Sequence, residues 1–157
     1  TIEAHEIPAK PLDPYSYYNG DFIALEKAHL NKGWKLVDNW HPDNKAGKRN
    51  GFVDVPMLEA TRPGDRLTLD FQGKAIGIFC VSGPSAGILE YSVDGAPFKE
   101  LDTFTEWSHN LYIPWVYMLE TELKDMDHKL VLRISKKKNP ASQGTECQIR
   151  NFVVNGR

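Results

Sequence analysis

Apolar residues recur along this chain with period two, in short runs broken by turn formers, and that rhythm predicts strands. Leu67, Leu69 and Phe71 alternate with Thr68 and Asp70. Leu130, Leu132 and Ile134 alternate with Val131, Arg133 and Ser135. Alternation of this kind marks a half-buried strand. Ala75 to Ser82 is nearly continuously apolar, which suits a central strand. Phe22 to Leu30, Trp34 to Trp40, Gly51 to Ala60, Leu111 to Leu119 and a closing run with Ile149, Phe152 and Val154 complete the pattern. Ile88 to Val93 and Pro97 to Leu101 flank Asp94-Gly95, and Asp-Gly between apolar runs predicts a type I′ hairpin. Asn31-Lys-Gly33, the loop His41 to Asn50, Arg62-Pro-Gly-Asp65, Gln72-Gly-Lys74 and the cationic loop Lys136 to Gly144 punctuate the runs. Pro56 within its run indicates a strand edge or bulge. No stretch keeps a helical stripe, and Thr121 to Met126 allows one helical turn at most. Nine or ten short antiparallel strands predict an all-β sandwich or barrel. The prolines at 8, 11 and 14 make residues 1–20 an extended strap or linker, leaving 21–157 as the sandwich.

Length fits one domain with one sizeable core, at 157 residues. A formal net charge of −2 offers no broad field for nucleic acid or an anionic membrane surface. No apolar run approaches the ~20 residues of a membrane span, and no signal peptide is visible. The cysteines, Cys80 and Cys147, lie in predicted strands and are expected as unpaired, buried thiols.

Two motif matches are expected to be structural. Gly83-Pro-Ser-Ala-Gly87 satisfies the G-x-S-x-G pattern of a nucleophile elbow, and Asp102 with His109 or His128 follow in hydrolase order. An elbow needs a helix after the serine, whereas a predicted strand follows here. Pro84 also removes a backbone N–H beside Ser85. Asp125-Met-Asp-His128 has a D-x-x-H spacing but no Gly-Asp-Ser block to serve. No catalytic residue is therefore assigned. No two of the five histidines have metal-ligand spacing, so no cofactor is expected. Asp43, Asn44 and nearby carbonyls are oxygens of the kind that hold structural calcium, but their spacing does not select it over solvent. Lys136-Lys-Lys138 reads as a solvated turn that discourages edge pairing.

The aromatic residues carry the functional question. Trp34, Trp40, Trp107 and Trp115 fall at predicted strand ends or in loops. Sugars stack their C–H faces on indole while carboxylates and amides meet their hydroxyls. Thr103 to Leu119 is the richest segment, with Trp107, Trp115, Phe104, Tyr112 and Tyr117 among polar neighbours. The expected ligand-binding set is Trp107 and Tyr112 with Asp102, Glu106, His109, Asn110, Arg49 and Asp54. Against it stands a sealing role, in which tryptophans close the sandwich ends. That role is favoured for Trp34 and Trp115 and evenly balanced for Trp107. Pro114 to Leu119 reads as a strand filling the core, and Glu106 to Asn110 as the loop before it.

Several strings together resemble a known family. They are Gly51-Phe-Val-Asp-Val-Pro-Met57, Gly77-Ile-Phe79, Gly83-Pro-Ser-Ala-Gly87, Glu90-Tyr-Ser-Val-Asp-Gly95, Trp107-Ser108, Pro114-Trp115, Leu132-Arg-Ile-Ser135 and Cys147-Gln-Ile-Arg150. The chain from Pro8 to Asn155 resembles the β-sandwich accessory domain on the carboxyl side of bacterial SGNH/GDSL-type hydrolases, including sialate O-acetylesterase-like and other carbohydrate esterases. Where that family often reads Gly-Pro-Asp-Ala-Gly, this chain has Ser85. The resemblance implies a jelly-roll-like, galactose-binding-like sandwich and a non-catalytic, carbohydrate-binding-type role. It implies a catalytic SGNH-type domain in cis, glycan as a further partner, and a periplasmic or extracellular setting. The alternatives are a domain that only packs on and completes its catalytic partner or, remotely, an independent serine esterase.

Overall fold

A computed structural model describes residue 4 and residues 6–31 and 33–156. Parts of the expected strap, at residues 1–3 and 5, and Lys32 of the first turn lie outside the described residues. Eleven strands are formed among the described residues: β1 Gly20–Ile23, β2 His29–Leu30, β3 Lys35–Trp40, β4 Val55–Ala60, β5 Arg66–Gly73, β6 Ala75–Ser82, β7 Ile88–Val93, β8 Lys99–Asp102, β9 Ile113–Glu120, β10 Met126–Ile134 and β11 Cys147–Asn155. Three short 3-10 turns are the described helical elements.

Two antiparallel sheets face each other. One runs β3-β4-β11-β6-β9, with β1 also paired to β11; the other runs β2-β5-β10-β7-β8. The core between them takes Leu58, Ile78, Ile149 and Phe152 from the first sheet and Leu67, Leu69, Leu89, Leu130 and Leu132 from the second, all fully buried. The expected all-β sandwich is formed, with one strand more than the upper expectation.

The extra strand has a physical origin. The expected strand Phe22 to Leu30 is two strands in different sheets. β1 pairs with β11 and β2 with β5, and the 3-10 turn Leu25–Lys27 carries the chain across, burying Leu25. The Asp94-Gly95 hairpin forms between β7 and β8 with φ of 52° and 77° at its centre, the left-handed pair a type I′ turn requires. Thr121 to Met126 forms no helical turn: Glu122 has φ of 58°, and β10 begins at Met126. Near Arg150 a register shift between Ile149 and Asn151 lets Ile149 and Phe152, three apart, both enter the core.

Both thiols, Cys80 and Cys147, are free and buried in the core. Burial pushes the Cys80 thiol up to about 12 and holds Cys147 well above its ordinary value. Trp34 is buried, as expected of a sealing residue. Trp115 is not. It stands 44% exposed on the edge strand β9, beside exposed Val116 and Met118. This corrects the expectation that Pro114 to Leu119 fills the sandwich. Val116 and Met118 take the outward phase, opposite Phe79 and Gly77 of β6, while Trp115 pairs with Cys80 and shares the core-side phase of Tyr117. Among the described residues β9 has no strand beyond it in its sheet, so the Trp115 ring stays open to solvent at the rim, whereas Leu119 is buried.

Candidate functional site

A second, smaller apolar cluster lies on the outer face of the six-stranded sheet. Met57 follows the opposite phase from Leu58, and Val81 the opposite phase from Cys80, so both point away from the main core. A register shift between Val37 and Trp40 turns Trp40 to this face as well. Trp40, Met57, Val81 and Tyr112 form the buried cluster, and Ala46, Phe52 and Val53 of the loop from 41 to 54 pack over it. Phe52 meets Phe79 of β6 edge to face at 5.2 Å. The loop is closed by the Asp54 N–H, which donates to the Trp40 carbonyl at 2.8 Å. It is tied to the segment before β9 by two bonds: Gly47 N–H to Asn110 C=O at 2.7 Å and Tyr112 N–H to Gly47 C=O at 2.8 Å.

Beside this cluster opens a cleft of about 370 Å³. Trp40 and Tyr112, each only 4% exposed, contribute a narrow margin of ring; Asn44, Glu59, Glu146 and Gln148 contribute polar groups; His41, Asp43 and Ser85 are also in the lining. The two rings meet edge to face at 5.4 Å. Glu59 and Gln148 are cross-strand partners on β4 and β11. Trp40 Nε1–H donates to Glu59 Oε1 at 3.0 Å, and Lys35 Nζ binds Glu59 Oε2 at 2.9 Å. Gln148 Nε2 donates to Glu59 Oε1 at 3.4 Å and to Glu146 Oε2 at 3.3 Å, linking the two carboxylates. Asn44 Nδ2 donates to the Tyr112 hydroxyl oxygen at 2.7 Å.

Electrostatics distinguishes the two glutamates. Burial pushes Glu59 up, but the bonds from Lys35, Trp40 and Gln148 outweigh it and hold its carboxyl below the ordinary value. Burial, with the nearby Glu59 charge, holds Glu146 above the ordinary value against the bond from Gln148. Burial also raises the Tyr112 phenol; the charges of Glu146, Glu59 and Asp43 add to it, while the bond from Asn44 opposes.

The expected binding residues are dispersed over this end of the sandwich. Tyr112 reaches the cleft, but it is only 4% exposed and is part of the packed cluster, while Trp107 is 53% exposed on the 3-10 turn Glu106–His109. The two do not share an exposed platform. Trp107 faces outward because Ser108, beside it, points inward. The Ser108 hydroxyl bonds to Thr105 at 3.0 Å and donates to the Ser82 carbonyl at 3.3 Å, pinning the turn to the end of β6. His109 meets Phe104 edge to face at 5.0 Å. Glu106 is exposed; Asn110, also exposed, gives its carbonyl to the loop at Gly47. Asp54 approaches the cleft border through His41, 3.0 Å away. Arg49 sits exposed in the loop, its carbonyl accepting from Phe52 N–H. Asp102 belongs elsewhere: it accepts from Asn139 Nδ2 at 2.6 Å and from the Phe104 N–H at 3.0 Å.

Sequence reasoning missed Glu59, Glu146 and Gln148. A faint signal existed: Glu59 and Gln148 interrupt the apolar runs Met57-Leu58 and Cys147 to Ile149 at outward-facing positions. Asp43 and Asn44, weighed as calcium ligands, flank the cleft, and Asn44 is committed to Tyr112 and, through Oδ1, to the Ala46 N–H at 3.0 Å. Among the described residues no group of three or more His, Cys, Asp or Glu side chains is arranged to hold a metal.

Gly83 to Gly87 is a turn between β6 and β7, with no helix after Ser85. Its glycines answer to packing. A Cβ on Gly83 would lie 2.1 Å from the Tyr112 ring, and one on Gly87 would lie 2.6 Å from the Thr145 backbone. The Ser85 carbonyl accepts from the Glu146 N–H at 2.8 Å, and Gly87 N–H donates to the Glu146 carbonyl at 2.8 Å. The motif therefore positions Tyr112 and Glu146.

Solved structures share this fold. A two-domain esterase active on acetylated mannans, co-crystallised with mannopentaose, superposes with a TM-score of 0.69 at 18% identity, over 98% of this chain and 40% of its own. A family two carbohydrate esterase from Cellvibrio japonicus gives a TM-score of 0.52 at 12% identity, over 88% of this chain and 34% of its own. A family 35 carbohydrate binding module from Clostridium thermocellum gives 0.51 at 13% identity, over 89% of this chain and 99% of its own. The chain thus spans 40% and 34% of the two esterases and nearly all of the binding module. No protein-family model matches the sequence, and no curated protein matches it.

Proposed function

We propose that this chain is a non-catalytic, carbohydrate-binding-type accessory module of a secreted bacterial SGNH/GDSL-type hydrolase, working in the periplasm or outside the cell. The observation that carries the reading is the cleft of Trp40, Tyr112, Asn44, Glu59, Glu146 and Gln148. Fixed carboxylate and amide oxygens beside a narrow margin of ring are acceptors for the hydroxyls of a sugar. Trp107, exposed on the neighbouring turn, is proposed as an outlying stacking surface. Support for the wider context comes from the fold shared with the mannan-active esterase and the binding module. The strand-to-strand setting of Ser85 supports a non-catalytic role. The test is retention of mannopentaose and acetylated manno-oligosaccharides by the chain and by Gln148→Ala and Trp107→Ala. Loss of retention in Gln148→Ala is expected at temperatures well below that variant's own melting transition, which should fall because the buried amide no longer links Glu59 and Glu146. Turnover of a generic acetyl ester that vanishes in Ser85→Ala would overturn the non-catalytic assignment.

A second reading has its own observation. Tyr17, Phe22, Val116 and Met118 are exposed and line an apolar groove of about 340 Å³ with Val153 and Val154. A patch of this kind suits packing on a catalytic domain in cis. Peroxide oxidation of Met118 that is slower in the full polypeptide than in this chain alone would favour that packing role.

A further inference from the structure

The cleft is unevenly charged. Asp43, Glu59 and Glu146 line it, and no lysine or arginine does. The nearest basic side chains already have partners, and His41 is itself part of the lining. Lys35 binds Glu59 Oε2, Lys48 donates to the Asn44 carbonyl at 2.9 Å, and His41 faces Asp54. Gln148, the amide between the two glutamates, spends its Nε2 hydrogens on them. The charges of Glu146, Glu59 and Asp43 all act on the Tyr112 hydroxyl with the same sign. Glu146 itself is fixed, because its backbone is bonded on both sides to the Gly83–Gly87 turn. Its side chain thus enters the cleft from a rigid support, with little ordering left to do on binding.

We infer that the cleft is an anion-excluding subsite, taking a sugar ring that is uncharged or bears an ammonium group and rejecting uronic acids, with Glu146 as the residue that sets this preference. The inference rests on the carbohydrate reading of the cleft. A ligand carboxylate would enter a half-buried site that already holds three carboxylates, with no lysine or arginine in its lining to meet it. Like charges a few ångströms apart in such a setting repel strongly. Hydroxyls and ammonium groups, by contrast, donate to carboxylate acceptors.

The experiment is calorimetric titration of the whole chain, at fixed pH 7 and 0.15 M salt, with three probes of similar length: mannopentaose, a glucosamine pentamer and a galacturonate pentamer. The same titrations are run on Glu146→Gln, which keeps shape and removes charge. Expected for the unmutated chain is binding of the neutral or the amino probe at least about tenfold tighter than the galacturonate, a gap of about 1.4 kcal/mol. In Glu146→Gln that gap narrows, with the galacturonate gaining and the amino probe losing. Galacturonate binding equal to or tighter than the other two would overturn the inference while leaving a carbohydrate site in place. If none of the three binds, the carbohydrate reading falls and this inference with it. An unchanged gap in Glu146→Gln removes Glu146 as the selecting residue.

Discussion

His128 and Asp94 face each other across the hairpin turn, with Nδ1 of the ring 2.6 Å from Oδ2 of the carboxylate. The other ring nitrogen, Nε2, lies 2.8 Å from the Lys124 carbonyl. Both partners are acceptors, so the site favours the protonated ring, in which both nitrogens donate. Burial opposes that charge, but the two bonds outweigh it and raise the His128 pKa above the ordinary 6.5. The bond from His128 and the one from the Lys129 N–H lower Asp94 below the ordinary 3.8. His128 of the D-x-x-H spacing, expected to be structural, thus forms with Asp94 a clamp on the β7–β8 turn, its ring also stacked on Phe71 at 5.3 Å.

This clamp predicts a pH dependence. The contribution of His128 is fully present below pH 6.5 and is lost as pH rises through its raised folded value. The contribution of Asp94 is present above pH 3.8 and is lost as pH falls through its lowered folded value. Asp94→Asn keeps the residue type that tolerates the turn's positive φ while removing the charge. It should destabilise the domain by about 1 kcal/mol near pH 6, allowing for the partial exposure of the carboxylate. Thermal melts from pH 5 to pH 9 should show the difference between wild type and variant shrinking at the alkaline end.

Gly83→Ala should damage the cleft from behind. Its methyl would meet the Tyr112 ring, which must move because the contact lies near 2 Å. The expected cost is about 1–3 kcal/mol. Near-ultraviolet circular dichroism should report the displaced ring, and glycan retention should fall with it. A stable variant with an unaltered aromatic spectrum would contradict this account of the G-x-S-x-G turn.

Trp107 and Trp40 should separate packing from surface. Trp107→Ala should change stability by no more than about 0.5 kcal/mol, since the ring is largely exposed. Trp40→Ala empties the centre of the second cluster and strips a donor from Glu59, so about 3–5 kcal/mol is expected. Urea melts of the two variants decide the comparison.

The thiols should be silent. Cys80 and Cys147 are buried and protonated, with Cys80 pushed up to about 12, and the thiolate is the reactive form. Labelling by a disulfide reagent at pH 8 should proceed at the unfolding rate and become rapid in denaturant. Fast stoichiometric labelling of the native chain would show that the strands around them open locally.

Much of this domain is legible in its sequence. The period-two runs became β5 and β10 because alternation is a local property of a pleated strand. Asp94-Gly95 specified its turn through two residues that accept positive φ. Other features gave no local signal. The crossing of residues 24–28 from one sheet to the other looks like part of one strand in sequence. The exposure of Trp115 depends on β9 being an edge, and an edge is defined by neighbours that are absent from the local segment.

The candidate site shows the division most clearly. The sequence by itself determined an all-β sandwich, two buried thiols, a serine motif without a helix, and aromatic residues gathered near the strand ends. Tertiary structure alone decided that Trp40, Asn44, Glu59, Tyr112, Glu146 and Gln148 meet in one cleft. Those residues come from separate segments, joined because β4 pairs with β11 and the loop from 41 to 54 folds over the outer face of their sheet. Strand patterning is written in neighbours two positions apart, whereas a cleft of this kind is written in pairings up to about a hundred positions apart, which no local periodicity encodes.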